Sequence, residues 1–125
     1  MRILLADDDR VLVQMLAGLL RGKGHQVSPV FDGMQVVMFA MRKPPPDVII
    51  LDISMPGGTG LESIKRLKSS RNTALIPIIV LTASPDPQMP ETIKALGAEF
   101  FLSKPVDPAA LLATLEKAVP TGSAS

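Results

Sequence analysis

Residues Pro46-Asp47-Val48-Ile49-Ile50-Leu51-Asp52 decide the fold. The four central residues form a continuous apolar run bounded by a proline turn and a carboxylate. That run is too short for a helix and lacks the alternation of a strand with one wet face, so it reads as a strand covered on both faces. Ile3 to Ala6, Ile78 to Leu81 and Phe100 to Leu102 share the pattern. Gln26 to Phe31 fits a further strand, second in the chain. Its Pro29 removes a ladder donor and so sends that strand to a sheet edge.

Helical periodicity fills the gaps. Val11, Leu12, Met15, Leu16, Leu19 and Leu20 recur at helical spacing, with Asp9 as N-cap and Gly22 and Gly24 to end the helix. Asp32 caps a second helix carrying Val36, Val37, Ala40 and Met41, which Pro44-Pro45-Pro46 forbids to continue. A third covers roughly Leu61 to Lys68, and a fifth starts near Pro108 and carries Leu111, Leu112, Leu115 and Val119. A fourth ends at Leu96 before Gly97. Pro85, Pro87 and Pro90 crowd its beginning, and Pro90 fits only in its first turn. Five strand and helix units predict a doubly wound, flavodoxin-like α/β domain: a five-stranded parallel sheet flanked by five helices. The strand order 2-1-3-4-5 puts the proline-bearing second strand at an edge. The domain is expected over residues 1–119, with 120–125 a small, polar tail or the start of a linker.

Composition narrows the function classes. Thirteen Lys and Arg against twelve Asp and Glu give a formal charge of +1, so there is no basic field for wrapping nucleic acid. Zero Cys excludes disulfides, thiolate metal sites and cysteine nucleophiles; a single histidine, His25, excludes any site that needs two imidazoles. His25 falls at the sheet end opposite the aspartates and reads as a surface residue. The apolar start Met1 to Ala6 is too short for a secretory signal or a membrane span, which predicts a cytoplasmic chain with no membrane partner.

In an open parallel sheet the ligand crevice lies beyond the carboxyl ends of the strands. There the chain places Asp7, Asp8 and Asp9 after the first strand and Asp52 after the third. Thr82 follows the fourth, and Ser103 with Lys104 the fifth. Carboxylates about 5 Å apart repel by roughly 3 kcal/mol at an effective dielectric near 20, so a cation must compensate. Hard oxygen ligands suit Mg2+, Lys104 adds fixed positive charge, and Thr82 offers an uncharged donor. The set fits a phosphoryl group, with one carboxylate as nucleophile. Gly57-Gly58-Thr59-Gly60 lacks the spacing of a nucleotide-binding loop and reads as a flexible turn.

Four ordered stretches carry a family resemblance: Ile3 to Asp9, Pro46 to Gly57, Ile79 to Ala83 and Gly97 to Pro105. Asp52 follows Asp8 by 44 residues, Thr82 follows Asp52 by 30, and Lys104 follows Thr82 by 22. In these stretches and spacings the chain resembles a bacterial response-regulator receiver domain of two-component signalling, the chemotaxis regulators among them. The resemblance implies that Asp52 is the phosphoacceptor for a sensor histidine kinase or phosphotransfer protein. It implies that Asp7, Asp8, Asp52 and the backbone carbonyl of Ser54 hold Mg2+. By the same resemblance Thr82 binds the phosphoryl group, Lys104 pairs with it, Phe101 is the aromatic switch, and a cis peptide joins Lys104 to Pro105. Such a domain is a phosphoacceptor rather than an enzyme, beyond self-phosphorylation from a donor and autodephosphorylation, and does not itself bind nucleic acid.

Departures concern output. The switch position holds phenylalanine instead of tyrosine, three prolines crowd the start of the fourth helix, and Ala110 and Thr114 replace the Glu and Arg dimer contacts of the winged-helix branch. A competing reading takes Asp7-Asp8-Asp9-Arg10-Val11 as the DxDx[TV] pattern of haloacid-dehalogenase-type phosphatases, with Asp7 as nucleophile. That reading leaves Asp52 without a role.

Overall fold

In the computed structural model, residues 1–54, 60–83 and 86–119 are described. Residues 57–59 of the glycine turn, Pro85 and the tail from 120 lie outside the described residues. The elements run β1 (Arg2–Ala6), α1 (Arg10–Gly22), β2 (Gln26–Val30), α2 (Gly33–Ala40), β3 (Val48–Asp52), α3 (Gly60–Ser69), β4 (Ile78–Thr82), α4 (Met89–Ala95), β5 (Phe100–Ser103) and α5 (Pro108–Ala118). The strands form one parallel sheet in the order β2-β1-β3-β4-β5, as the sequence predicts.

Strand alternation splits the apolar runs between two cores. Leu4, Ala6, Ile49, Leu51, Ile78 and Val80 meet α2, α3 and α4 through Val36, Ile64, Leu67 and Ile93. Ile3, Leu5, Val48, Ile50, Ile79 and Leu81 meet α1 and α5 through Val13, Leu16, Leu20, Leu111 and Leu115. Each such side chain, once fully buried, contributes on the order of 1.5–3 kcal/mol. This double cover fixes the central strands, and with them the direction in which their last residues point.

Pro29 sits where its missing N–H does no harm. Gln26 N donates to Met1 O at 2.9 Å and Val30 O accepts from Asp7 N at 3.2 Å, so the even-numbered residues of β2 direct their main-chain groups at β1. Pro29 therefore faces outward along the free edge, and Arg21 Nη2 covers the neighbouring Val27 carbonyl at 3.1 Å. The strand stops at Val30, one residue before the sequence places its end, and the Phe31 amide, which points away from β1, is taken by Gln35 Oε1 at 3.0 Å. Asp32 accepts from Gln35 N at 2.8 Å in return and caps α2.

Two further departures come from local chemistry. α2 ends at Ala40, with Met41 as its C-cap, and so stops short of the three prolines. β5 lies at the sheet edge that the order 2-1-3-4-5 requires, but it is not covered on both faces: Phe100 packs into a core while Phe101 keeps 40% of its surface exposed. A three-residue apolar run cannot distinguish a strand covered on both faces from one covered on a single face. α4 has Pro90 in its first turn and no side-chain cap, and closes at Leu96 with Gly97 at φ 104°.

Candidate functional site

The acidic residues assemble at the carboxyl edge of the sheet. Asp7 follows β1 directly; it is fully buried, and its Oδ1 accepts from Asp9 N at 3.0 Å. Asp9 in turn caps α1, accepting from the amides of Val11 and Leu12 at 3.1 Å each. This hydrogen-bonded turn leaves Asp8 exposed beside Asp7. Asp52 closes β3, is 1% exposed, and accepts the Ser54 amide on Oδ1 at 3.0 Å. Ligand atoms of Asp7, Asp8 and Asp52 all lie within 4.8 Å of one another.

Lys104 supplies the cation from the far side. Its Nζ lies 2.9 Å from Asp7 Oδ2 and 3.3 Å from Asp52 Oδ2. Its amide donates to Thr82 O at 2.8 Å, which fixes the residue after β5 against the end of β4. Partial burial alone would lower the ammonium's pKa, but the Asp7 hydrogen bond and the Asp52 charge outweigh it and raise the value above its usual one. Thr82 is 4% exposed at the end of β4, and its cross-strand partner is Ser103. The peptide between Lys104 and Pro105 is cis.

Three carboxylates facing one ammonium leave a formal excess of two negative charges around hard oxygen donors. A divalent ion with an oxygen shell matches that donor set, so the residues present fit Mg2+. Asp7, Asp8 and Asp52 are brought together with Lys104 and Thr82, and Ser54 lies on the turn immediately after Asp52. Phe101 stands apart from the carboxylates. Its register partner is Val80, which places it on the α4 side of the sheet, whereas Phe100 packs into the α1 and α5 core. His25 is far from the cluster and is half-buried, with Nδ1 3.2 Å from the N-terminal nitrogen.

One positioning residue escaped the sequence. Gly60 starts α3 and donates its amide to Ile53 O at 3.1 Å. A Cβ there would run into the Cα of Ile53. The glycine thus lets α3 press against the turn that carries Asp52 and Ser54. Only the close approach reveals this, and glycine spacing in the sequence contains no such distance.

A doubly wound α/β sheet with three carboxylates and a lysine converging at its carboxyl edge is the arrangement expected of a receiver-type signalling module. The response regulator receiver domain model matches residues 3–116, and the chain belongs to that family. It is a receiver domain of two-component signalling. Protein PilH of Pseudomonas aeruginosa is 36% identical over 114 residues, covering 91% of this chain and 93% of PilH. The chemotaxis response regulator CheY4 of Vibrio cholerae superposes with a TM-score of 0.87 at 34% identity, over 94% of this chain and 98% of that one. The receiver domain of the sensor histidine kinase PA1611 from Pseudomonas aeruginosa superposes with a TM-score of 0.86 at 30% identity, over 96% and 98%; that structure holds a magnesium ion in its active-site cleft. The chain spans 16% to 48% of several other curated relatives. Nothing in these comparisons supports the phosphatase reading. Among the described residues no helix is long and apolar enough to cross a membrane.

Proposed function

We propose that Asp52 accepts a phosphoryl group from the phosphohistidine of a sensor kinase or phosphotransfer protein in the cytoplasm. The observation that carries this reading is the placement of Asp52 at the end of β3, its ligand atom within 4.8 Å of those of Asp7 and Asp8 and its Oδ2 3.3 Å from Lys104. Oδ1 is held by the Ser54 amide, so Oδ2 is the attacking oxygen. It forms a bond to phosphorus as the P–N bond breaks, and the electron pair goes to the imidazole nitrogen, which takes up a proton from solvent.

The carboxylates of Asp7, Asp8 and Asp52 and the carbonyl of Ser54 would hold Mg2+, which supplies positive charge to offset that of the incoming phosphoryl oxygens. Lys104 moves its ion pair from Asp52 to a phosphoryl oxygen. Thr82 donates its hydroxyl to another. The space that this shift opens beside β5 admits the ring of Phe101, which couples the phosphorylated state to the surface of α4, β5 and α5. Loss of the phosphoryl group to water resets the domain.

The test is intact mass after incubation with Mg2+ and a small acyl phosphate, followed by peptide mapping. One phosphoryl group on Asp52, absent from Asp52→Asn, is the expected result. Label on Asp7, or wild-type labelling of Asp52→Asn, would overturn the assignment.

A further inference from the structure

We propose that the cleft beneath the end of α2, at the opposite edge of the sheet from Asp52, binds a small phosphomonoester. The helix stops at Ala40 and leaves the lower part of its sheet face uncovered. Alternation puts Arg2 and Leu4 of β1, with their register partners Gln26 and Ser28 of β2, on that face. Higher on the same face the corresponding positions, Ala6 and Val30, are core. A cavity of about 270 Å³ lies over the polar pair, bounded on the helix side by Phe39, Arg42 and Lys43.

The charges in this cleft are unpartnered. Among the described residues no carboxylate lies within ion-pair distance of Arg2, Arg42 or Lys43. The nearest in sequence, Asp47, is engaged by the Arg2 amide at 2.7 Å. Counting Asp47 against the three cations leaves a formal charge of +2, the complement of a phosphomonoester dianion. The carbonyl end of α2 favours cations just beyond it and accounts for Arg42 and Lys43, which follow the Met41 cap, but not for Arg2, which comes from β1 on the other wall. Arg42 is also held in place, its guanidinium 4.1 Å over the Phe39 ring centroid, so less side-chain freedom is lost on binding.

Guanidinium groups match phosphate oxygens in pairs and the lysine adds a point charge. Gln26 and Ser28 supply hydrogen bonds to hydroxyls of the ester. The volume falls below the roughly 300–1,000 Å³ of pockets that enclose drug-sized ligands, which limits the body to a few carbons. β1 separates the cleft from Asp7 by about 16 Å, five residues at about 3.3 Å each, so the two sites are distinguishable residue by residue.

The experiment is an amide NMR titration of the whole chain in magnesium-free buffer with glycerol 3-phosphate, with inorganic phosphate and succinate as parallel arms. Saturating shifts are expected at Arg2, Ser28, Arg42 and Lys43, with the ester binding more tightly than either control. Arg42→Gln with Lys43→Gln should weaken binding about tenfold or more. Ser28→Asp, a change on the exposed edge strand β2 that keeps all three cations and adds a carboxylate to the floor, should abolish it. Shifts confined to Asp7, Asp52 and Lys104, no shifts at all, or undiminished binding in both variants would overturn the site. Equal binding of succinate would overturn the phosphate preference, and equal binding of inorganic phosphate the part assigned to Gln26 and Ser28.

Discussion

Lys104 and Asp7 are joined by a 2.9 Å ion pair although their strands, β5 and β1, have β4 and β3 between them in the sheet. The contact closes the carboxyl edge from one side to the other, with Asp52 3.3 Å from the same ammonium. Removing the cation leaves two buried carboxylates facing each other. Lys104→Met should therefore lower stability by roughly 2–3 kcal/mol, less than for a fully buried pair because the lysine side chain keeps 21% of its surface in solvent. Asp52→Asn in the Lys104→Met background should restore part of the loss. Urea unfolding of the four proteins of that cycle measures the coupling, and strictly additive effects would remove the pair from the account.

Gly60 sets the position of the nucleophile from outside the cluster. A methyl group there meets the Cα of Ile53, a backbone atom that cannot yield without moving the turn between Asp52 and Ser54. Gly60→Ala should cost at least about 2 kcal/mol and slow labelling of Asp52 by acyl phosphate, while Gly18→Ala, where a Cβ meets nothing within 4 Å, should do neither. Thermal melts and the rate of mass gain read the two effects separately.

What the sequence reveals and what it hides divide along a physical line. The central strands, Asp9 and Asp32 as caps, and the edge position of Pro29 were legible because periodicity, capping and the missing proline N–H act locally. The gathering of Asp7, Asp8, Asp52 and Lys104 was legible because a parallel sheet points all its strand ends one way. Gly60 against Ile53, and Lys68 Nζ donating to the carbonyls of Ala74 at 3.0 Å and Ile76 at 2.9 Å, were not, since both depend on distances between elements. The exposure of Phe101 was hidden for the same reason: a short apolar run does not say which of its faces a helix will cover.

His25 should report pH through its environment rather than through the site. Burial and the N-terminal ammonium push its pKa below 6.5. The folded value lies under the unfolded one, so as pH falls the unfolded chain takes up the proton first. The stability tied to this residue is present above 6.5 and is lost as pH drops through the folded value. NMR titration of the imidazole Cε1 proton should give a midpoint below 6.5. His25→Gln should flatten the stability slope in that window, and an unchanged slope would assign it to the carboxylates.

Phe101 and Thr82 give the prediction on signal transmission. Val80 pairs with Phe101 and Thr82 with Ser103, so strand alternation places the Phe101 and Thr82 side chains on the same face, one diagonal step apart. Thr82 is buried and Phe101 is 40% exposed, so there is aromatic surface left to bury when the threonine hydroxyl is drawn toward Asp52. Fuller burial of a ring is worth on the order of 1–3 kcal/mol, enough to shift a two-state population about tenfold. Phe101→Ala should therefore leave labelling of Asp52 intact yet suppress phosphorylation-dependent NMR shifts in α4 and α5, at a stability cost below about 1.5 kcal/mol. Thr82→Ala should suppress the same shifts. Phe100→Ala, on the α1 and α5 face, should instead lower stability by about 1–3 kcal/mol and leave the response in place. If the α4 and α5 shifts persist in Phe101→Ala, the ring is not the moving part, and the start of α4 around Pro87 and Pro90 takes its place.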